Sequence, residues 1–335
     1  MKSPTFGDKL ARGSFVCTAD LLPPRGPVAP RLDPALVAGL RRLGCAVNVA
    51  DMPSAVLSQA PLAGALQLLA AGLEPVLQVT GRDRNRLALQ ADLLAAHALG
   101  VRNLLCLTGD HPAFGDHPGA RPVFDLSATG ILAAVAALND GRSLGGRPLD
   151  GKTAFVAGAA LNPGQIPLEP QLARAVAKER AGAAFFQTQP LFTPHDAVRA
   201  LAAATEAGLT APVLVGTFLL ESPAMARYMA DRVPGVTIPD AVVEGLEAAA
   251  DPRAYGRDLA RELVTWVRET HEAAVGEGAV GEGAVGEGIV GDSAVSADVG
   301  GARPVGPPRP AGVHVMSLNR LRAVVELLDG ALGMG

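Results

Sequence analysis

Short apolar runs alternate with longer stretches of helical period along almost the whole chain. The runs at 15–20, 46–50, 75–80, 103–108, 153–159, 184–189, 213–217 and 312–317 are nearly continuous in apolar residues. That pattern predicts parallel strands covered by helices rather than half-exposed antiparallel ones. Between them, amphipathic stretches predict helices at 34–43, 54–71, 84–99, 127–138, 169–181, 194–208, 222–233 with 239–272, and 318–332. Asp33-Pro34 and Ser222-Pro223 are helix start signals, and Gly100 and Gly208 sit where helices close. Eight strand–helix units in strict alternation predict a closed (β/α)8 TIM barrel. The competing architecture is a doubly wound open sheet, but no G-x-G-x-x-G fingerprint follows the early strands.

One segment breaks the pattern. Residues 275–311 carry a Gly-Glu-Gly-Ala-Val-Gly motif in tandem and then a Pro-rich stretch. Such sequence buries too little apolar surface to offset its ordering entropy, so a disordered insertion is expected. A Gly-rich calcium β-roll is the weaker alternative, because that repeat's Asp pattern is missing. The expected organisation is one barrel domain built from 1–274 and 312–335, interrupted by this insertion. Because the insertion joins a helix to the last strand, it should emerge at the barrel's N-terminal face, away from the chemistry.

The 335 residues are 49% hydrophobic, which excludes a chain disordered throughout. The formal net charge of −4 lacks the basic footprint of a nucleic-acid binder. No apolar stretch reaches the length of a membrane span, and the opening MKSPTFGDKLARGSF has no long apolar core of a signal peptide, so a cytoplasmic protein is expected. Cys17, Cys45 and Cys106 are far apart in apolar runs and read as buried reduced thiols.

In a barrel, chemistry sits at the C-terminal ends of the strands. Polar residues cluster there: Asp20, Asn48 and Asp51, Thr80 with Arg82 and Asp83, Thr108-Gly109-Asp110, Gln187 and Gln189, and Ser317, Asn319 and Arg320. Carboxylates gathered at one mouth raise one another's pKa, and a raised carboxylic acid can donate a proton near neutral pH. Each such Asp can equally be a helix N-cap. Other chemistries lack their signatures: no P-loop, no HExxH and no G-x-S-x-G is present. His111 and His117 flank a loop with Asp110 and Asp116; a metal site there competes with ordinary solvated loop residues.

In order along the chain stand VNVADMPSA, QVTGRDRNRLALQADLLAAHALGVRNLLCLTGDHP, GDHPGARPVFDLSA, GAALNP, AGAAFFQTQPLF and HVMSLNR. This combination resembles the methylenetetrahydrofolate reductases, in particular the version that some bacteria fuse to homocysteine methyltransferase domains. The resemblance covers nearly everything outside 275–311. It implies a (β/α)8 barrel that holds FAD at its mouth, takes hydride from NADH or NADPH, and reduces 5,10-methylenetetrahydrofolate to 5-methyltetrahydrofolate in a ping-pong sequence. Asp20 stands where the family has its acidic glutamate, three residues before a Pro-Pro pair, one methylene shorter. The resemblance makes Asp20 the proton donor and Asp110 a carboxylate near the flavin pyrimidine edge. It assigns Asn48, Gln78, Thr80, Thr108, Gly109, Asp110, Asp125, Leu161 and Lys178 to the cofactor, and Gln189, Met225, Met229 and Arg320 to the substrate.

The chain departs from the familiar form at Gln78 (histidine there), Thr108 (arginine), Leu161 (tyrosine) and Ala177 (arginine). Two other readings therefore stand beside the first: a flavin-independent reductase of a one-carbon pterin, and a non-catalytic folate-binding module serving a separate methyltransferase. A homo-oligomer and a functional link to a methionine synthase are open expectations from the resemblance. No metal, nucleic-acid or membrane partner is expected.

Overall fold

The computed structural model describes residues 4–29, 31–233, 235–281 (backbone alone from 276) and 310–333. Strands β1 (Val16–Leu21), β2 (Ala46–Val49), β3 (Pro75–Thr80), β4 (Asn103–Leu107), β5 (Val156–Leu161), β6 (Phe185–Thr188), β7 (Val213–Phe218) and β8 (Pro310–Met316) close into a barrel in sequence order. Every neighbouring pair is parallel, and β1 pairs β8 from Val16↔Gly312 to Ala19↔Val315. The expected TIM barrel is the fold.

The helices are α1 (Phe6–Ala11), α2 (Pro34–Leu43), α3 (Pro61–Ala70), α4 (Arg86–Ala98), α5 (Ala128–Asn139), α6 (Glu169–Arg180), α7 (Pro194–Glu206), α8 (Pro223–Arg232), α9 (Asp240–Ala248), α10 (Pro252–Gly281) and α11 (Leu321–Leu332). Their starts follow capping chemistry. Asp33, Ser127, Thr193 and Ser222 each accept a backbone N–H of the first turn, three of the four with proline inside that turn. Gly44 ends α2 in the left-handed region at φ 57°, which a side chain disfavours.

Alternation along the strands sorts the core into two compartments. Outward residues such as Cys17, Ala19, Leu21, Val47 and Val49 pack under the helices in the main hydrophobic cluster. The three cysteines are buried and unpaired as disulfides, as expected. Inward residues fill the barrel in layers. The lowest is apolar: α1 plugs the N-terminal end with Phe6 and Leu10 against Val16, Ala46, Val76, Leu105, Phe185 and Leu214. Phe6 meets Phe185 edge to face at 5.2 Å. Gly158 makes room for that ring, since a Cβ there would stand 2.4 Å from it. Above this floor the interior turns polar.

Several boundaries differ from the sequence reading, each for a local reason. The helix expected over 54–71 begins only at Pro61, because Met52, Ser54 and Ala55 have φ of 47°, 56° and 56° and turn the chain instead. Residues 239–272 divide into α9 and α10 at Asp251-Pro252, where Asp251 Oδ1 accepts the N–H groups of Arg253 and Ala254. Strand β5 starts three residues late because Asn139 Oδ1 accepts from Thr153 Oγ1 (2.6 Å) and Phe155 N (2.9 Å). The insertion boundaries at 275 and 311 also move: α10 runs to Gly281 and β8 opens at Pro310. The rest of that insertion lies outside the described residues. No described helix is long and apolar enough to cross a membrane.

Candidate active site at the barrel mouth

Asp20 is the last inward residue of β1, two positions above Thr18. Its side chain is 15% exposed, and Oδ1 is buried without a hydrogen-bond partner. Burial pushes its carboxyl up to about 7. His314 Nε2 on β8 lies 3.5 Å from Oδ1. His314 is itself buried, and burial pulls its imidazole down to about 3, so it is neutral across the physiological range. Below lies a closed polar layer. His314 Nδ1 is 2.9 Å from Thr18 Oγ1, Gln187 Nε2 donates to that same oxygen at 3.1 Å, and Asn48 Nδ2 donates to Gln187 Oε1 at 2.8 Å.

The rim above Asp20 is braced by its loops. Asn319, at φ 57°, accepts from Leu22 N (2.8 Å) and donates to Leu22 O (3.2 Å), clamping the chain just after Asp20. Asp110 Oδ2 accepts from Ser54 N at 2.9 Å, and Asp116 Oδ1 from Leu57 N at 3.0 Å, so the loops after β2 and β4 are locked together. Gly109 holds φ 91° where a Cβ would crowd Thr80 at 3.0 Å. Arg320 pairs with Glu221 at 3.1 Å, joining the loops after β7 and β8.

The structure brings Asp20, Thr80, Thr108, Gly109, Asp110, Gln189 and Arg320 to this one rim, from β1, β3, β4, β6 and β8 and the loops that follow them, with Gln78 two positions below Thr80 on β3. Many of them already have partners. Thr80 gives its N–H and hydroxyl to Asp51 (2.9 and 3.0 Å), which Arg84 also binds. Thr108 Oγ1 accepts from Ala128 N at the start of α5. Gln189 N donates to Leu161 O at 2.8 Å, and its side chain is half-buried. Asn48 sits a layer deeper, fully buried. Leu161 faces outward into the main core. Asp125 is bonded by Arg86, whose hydrogen bonds hold its carboxyl down at about 2. Met229 is buried in a satellite cluster with Phe192, Leu220 and Val236, and Met225 packs against it. The loop histidine His117 pairs with Asp116 at 3.0 Å, and no group of three or more metal-ligating side chains occurs among the described residues. Sequence reasoning passed over His314 and Thr18. Both are polar residues on inward strand positions, two or more below the rim, and that alternation was the available signal.

The fold is a closed (β/α)8 barrel with a largely buried carboxyl, Asp20, at the C-terminal end of β1, the face at which barrels of this class carry their sites. The family model for methylenetetrahydrofolate reductase matches residues 5–275, and the chain belongs to that family. Among solved structures, an uncharacterized protein from Clostridium thermocellum that binds two copies of 5-methyl-5,6,7,8-tetrahydrofolic acid is similar over 98% of this chain and 99% of that one, with 12% identity and a TM-score of 0.63. A tryptophan synthase from M. tuberculosis matches 76% of this chain and 96% of its own, with 17% identity and a TM-score of 0.40. No curated protein matches the chain at a significant level.

The family generally uses FAD, and one feature here suits its pyrophosphate. Lys178 reaches from α6 to the top of β5, donating to Ala160 O at 2.7 Å. Among the described residues it forms no ion pair, and burial, with Arg174 nearby, lowers its pKa. A desolvated cation without a carboxylate partner is a ready site for an anion. Ala177 and Leu161 add no polar group, so the fit rests on Lys178 and backbone.

Proposed function

We propose that this protein reduces 5,10-methylenetetrahydrofolate to 5-methyltetrahydrofolate with hydride from NADH or NADPH, and that Asp20 is the proton donor. The imidazolidine ring must open before it can accept hydride. Opening needs a proton on the side-chain nitrogen, whose bond to the one-carbon unit then breaks and leaves an iminium cation on the pterin. The observation that carries the reading is Asp20 itself: a carboxyl raised to about 7 by burial still holds its proton near neutrality. Once deprotonated, Asp20 favours the cation, and Asp110 on the same rim adds a second negative charge. Gln189 is the pterin's amide partner, with Met225 and Met229 beside the substrate, and Arg320 pairs a carboxylate of the folate tail. FAD, when bound, supplies a two-electron store that lets the nicotinamide leave before the folate enters. Lys178 would hold its pyrophosphate; Asn48, Gln78, Thr80, Thr108, Gly109, Asp110, Asp125 and Leu161 are the remaining cofactor candidates.

A second reading has a specific observation in its favour. Thr108 and Asp125 are already committed to other groups, and Leu161 lies in the core. These favour a site that takes hydride directly from the nicotinamide. One experiment separates the readings. Purified protein incubated with NADH and methylenetetrahydrofolate should form 5-methyltetrahydrofolate, and a flavin band bleached by NADH before folate is added marks the FAD route. Turnover by colourless protein that added FAD does not stimulate marks the direct route. No product with either nicotinamide, with or without FAD, contradicts both and leaves a folate-binding module.

A further inference from the structure

The proton chain beneath Asp20 has a direction. In the amide orientation of the structure, Asn48 Nδ2 donates to Gln187 Oε1 at 2.8 Å and Gln187 Nε2 donates back to Asn48 Oδ1 at 3.3 Å. In that orientation Gln187 Nε2 donates to Thr18 Oγ1 at 3.1 Å, and the threonine oxygen accepts. Thr18 has a single proton to give. Its choices are His314 Nδ1 at 2.9 Å and Val313 O at 3.5 Å, and the closer, unprotonated ring nitrogen takes it. His314, neutral in this buried layer, then carries its own proton on Nε2, which faces Asp20 Oδ1. Oδ1 is a buried carboxyl oxygen without a hydrogen-bond partner, and the imidazole faces it at 3.5 Å, longer than a hydrogen bond.

We infer that His314 is a positioning residue whose tautomer, set by the Asn48–Gln187–Thr18 chain, keeps an N–H against Asp20 Oδ1 and so confines the transferable proton to Oδ2. A proton on Oδ1 would point at another proton. A proton on Oδ2 lies on the side of the carboxyl away from the buried layer, where a substrate nitrogen can take it. After transfer, the same N–H faces the new carboxylate and steadies it. Among the described residues no other charge engages Asp20. On β2, Asp51 is turned to Arg84; on the rim, Arg320 is paired with Glu221 and Asp110 with Ser54 N; and Asp33 before α2 is paired with Arg322 of α11.

The inference rests on the reductase reading for its consequence, but its first two readouts need no folate. Histidine-selective 15N labelling reads the His314 tautomer, and 13C-carboxyl labelling follows Asp20 against pH. The expected wild-type state is Nε2–H with Nδ1 bare from pH 5 to 8. Thr18→Val should populate the Nδ1–H form and, by turning a bare ring nitrogen in place of an N–H dipole towards the carboxylate, raise the Asp20 midpoint by about 0.5–1 pH unit. It should lower folate reduction about 10-fold at unchanged folate affinity, and Thr18→Ser should restore all three. A wild-type His314 in the Nδ1–H form overturns the inference, as does a Thr18→Val protein with the tautomer and midpoint unmoved. A protein with the predicted tautomer and no reductase activity overturns the functional reading alone.

Discussion

Asp20 and His314 are buried groups of opposite titration sense in contact, and their linkage to stability has opposite signs. Asp20 folds with its pKa raised to about 7, so between about 4 and 7 the native state holds a proton that the unfolded chain has lost, and stability falls as pH rises. His314 folds with its pKa lowered to about 3, so between about 3 and 6.5 the unfolded chain binds the extra proton, and stability rises with pH. Over the shared window the two slopes oppose each other. Asp20→Asn removes one of them. The variant should be more stable than wild type at pH 8, by about 1–3 kcal/mol, and should lose stability more steeply on acidification from pH 6.5 to 4. Urea midpoints across pH test this; parallel curves for the two proteins would contradict it. In the wild type, reduction should decline as pH rises through about 7, as the acid form of Asp20 disappears. At this scale the sequence made Asp20 legible through its place before Pro23-Pro24 and at a strand end. It did not expose His314, because which residues lie opposite each other across a barrel depends on closure and register, which no local pattern carries.

At the scale of elements, strands and capped helices were readable because apolar runs and Ser/Thr/Asp-Pro starts are local signals. The short α1 was not, since six residues carry too little periodicity. Yet α1 closes the barrel floor, with a Thr5–Asp8 capping box at its start and Phe6 inserted beneath Phe185. Phe6→Ala should cost about 3–5 kcal/mol through loss of burial and the cavity left behind, measured by denaturant unfolding. It should leave the mouth intact, so KM for folate should not change below the melting transition. The loop after β2 was misread as helix for a physical reason as well. Its left-handed residues at Met52, Ser54 and Ala55 are held by the partner loop after β4, a tertiary effect.

At the scale of the whole molecule, barrel closure followed from strict alternation, and the rim was expected to gather polar groups from separate segments. What alternation could not settle was which rim side chains remain free. Several cofactor candidates turn out to be bonded to neighbours, and Lys178, the cationic candidate, has no acidic partner among the described residues. Lys178→Ala should therefore weaken FAD binding at least about 10-fold, the loss of one charge-assisted contact, read by flavin fluorescence titration; unchanged affinity would remove Lys178 from the cofactor site. The 282–309 segment separates α10 from the N-terminal end of β8, so replacing it with a shorter Gly/Ser linker should leave folate turnover unchanged. The account stands most directly on the transfer of a proton from Asp20. Side-by-side assay of wild type and Asp20→Asn, following 5-methyltetrahydrofolate formation and, separately, NADH oxidation with menadione, should find folate reduction lowered by at least about 10²-fold with NADH oxidation preserved if flavin is bound. Folate reduction by Asp20→Asn at the wild-type rate would contradict it.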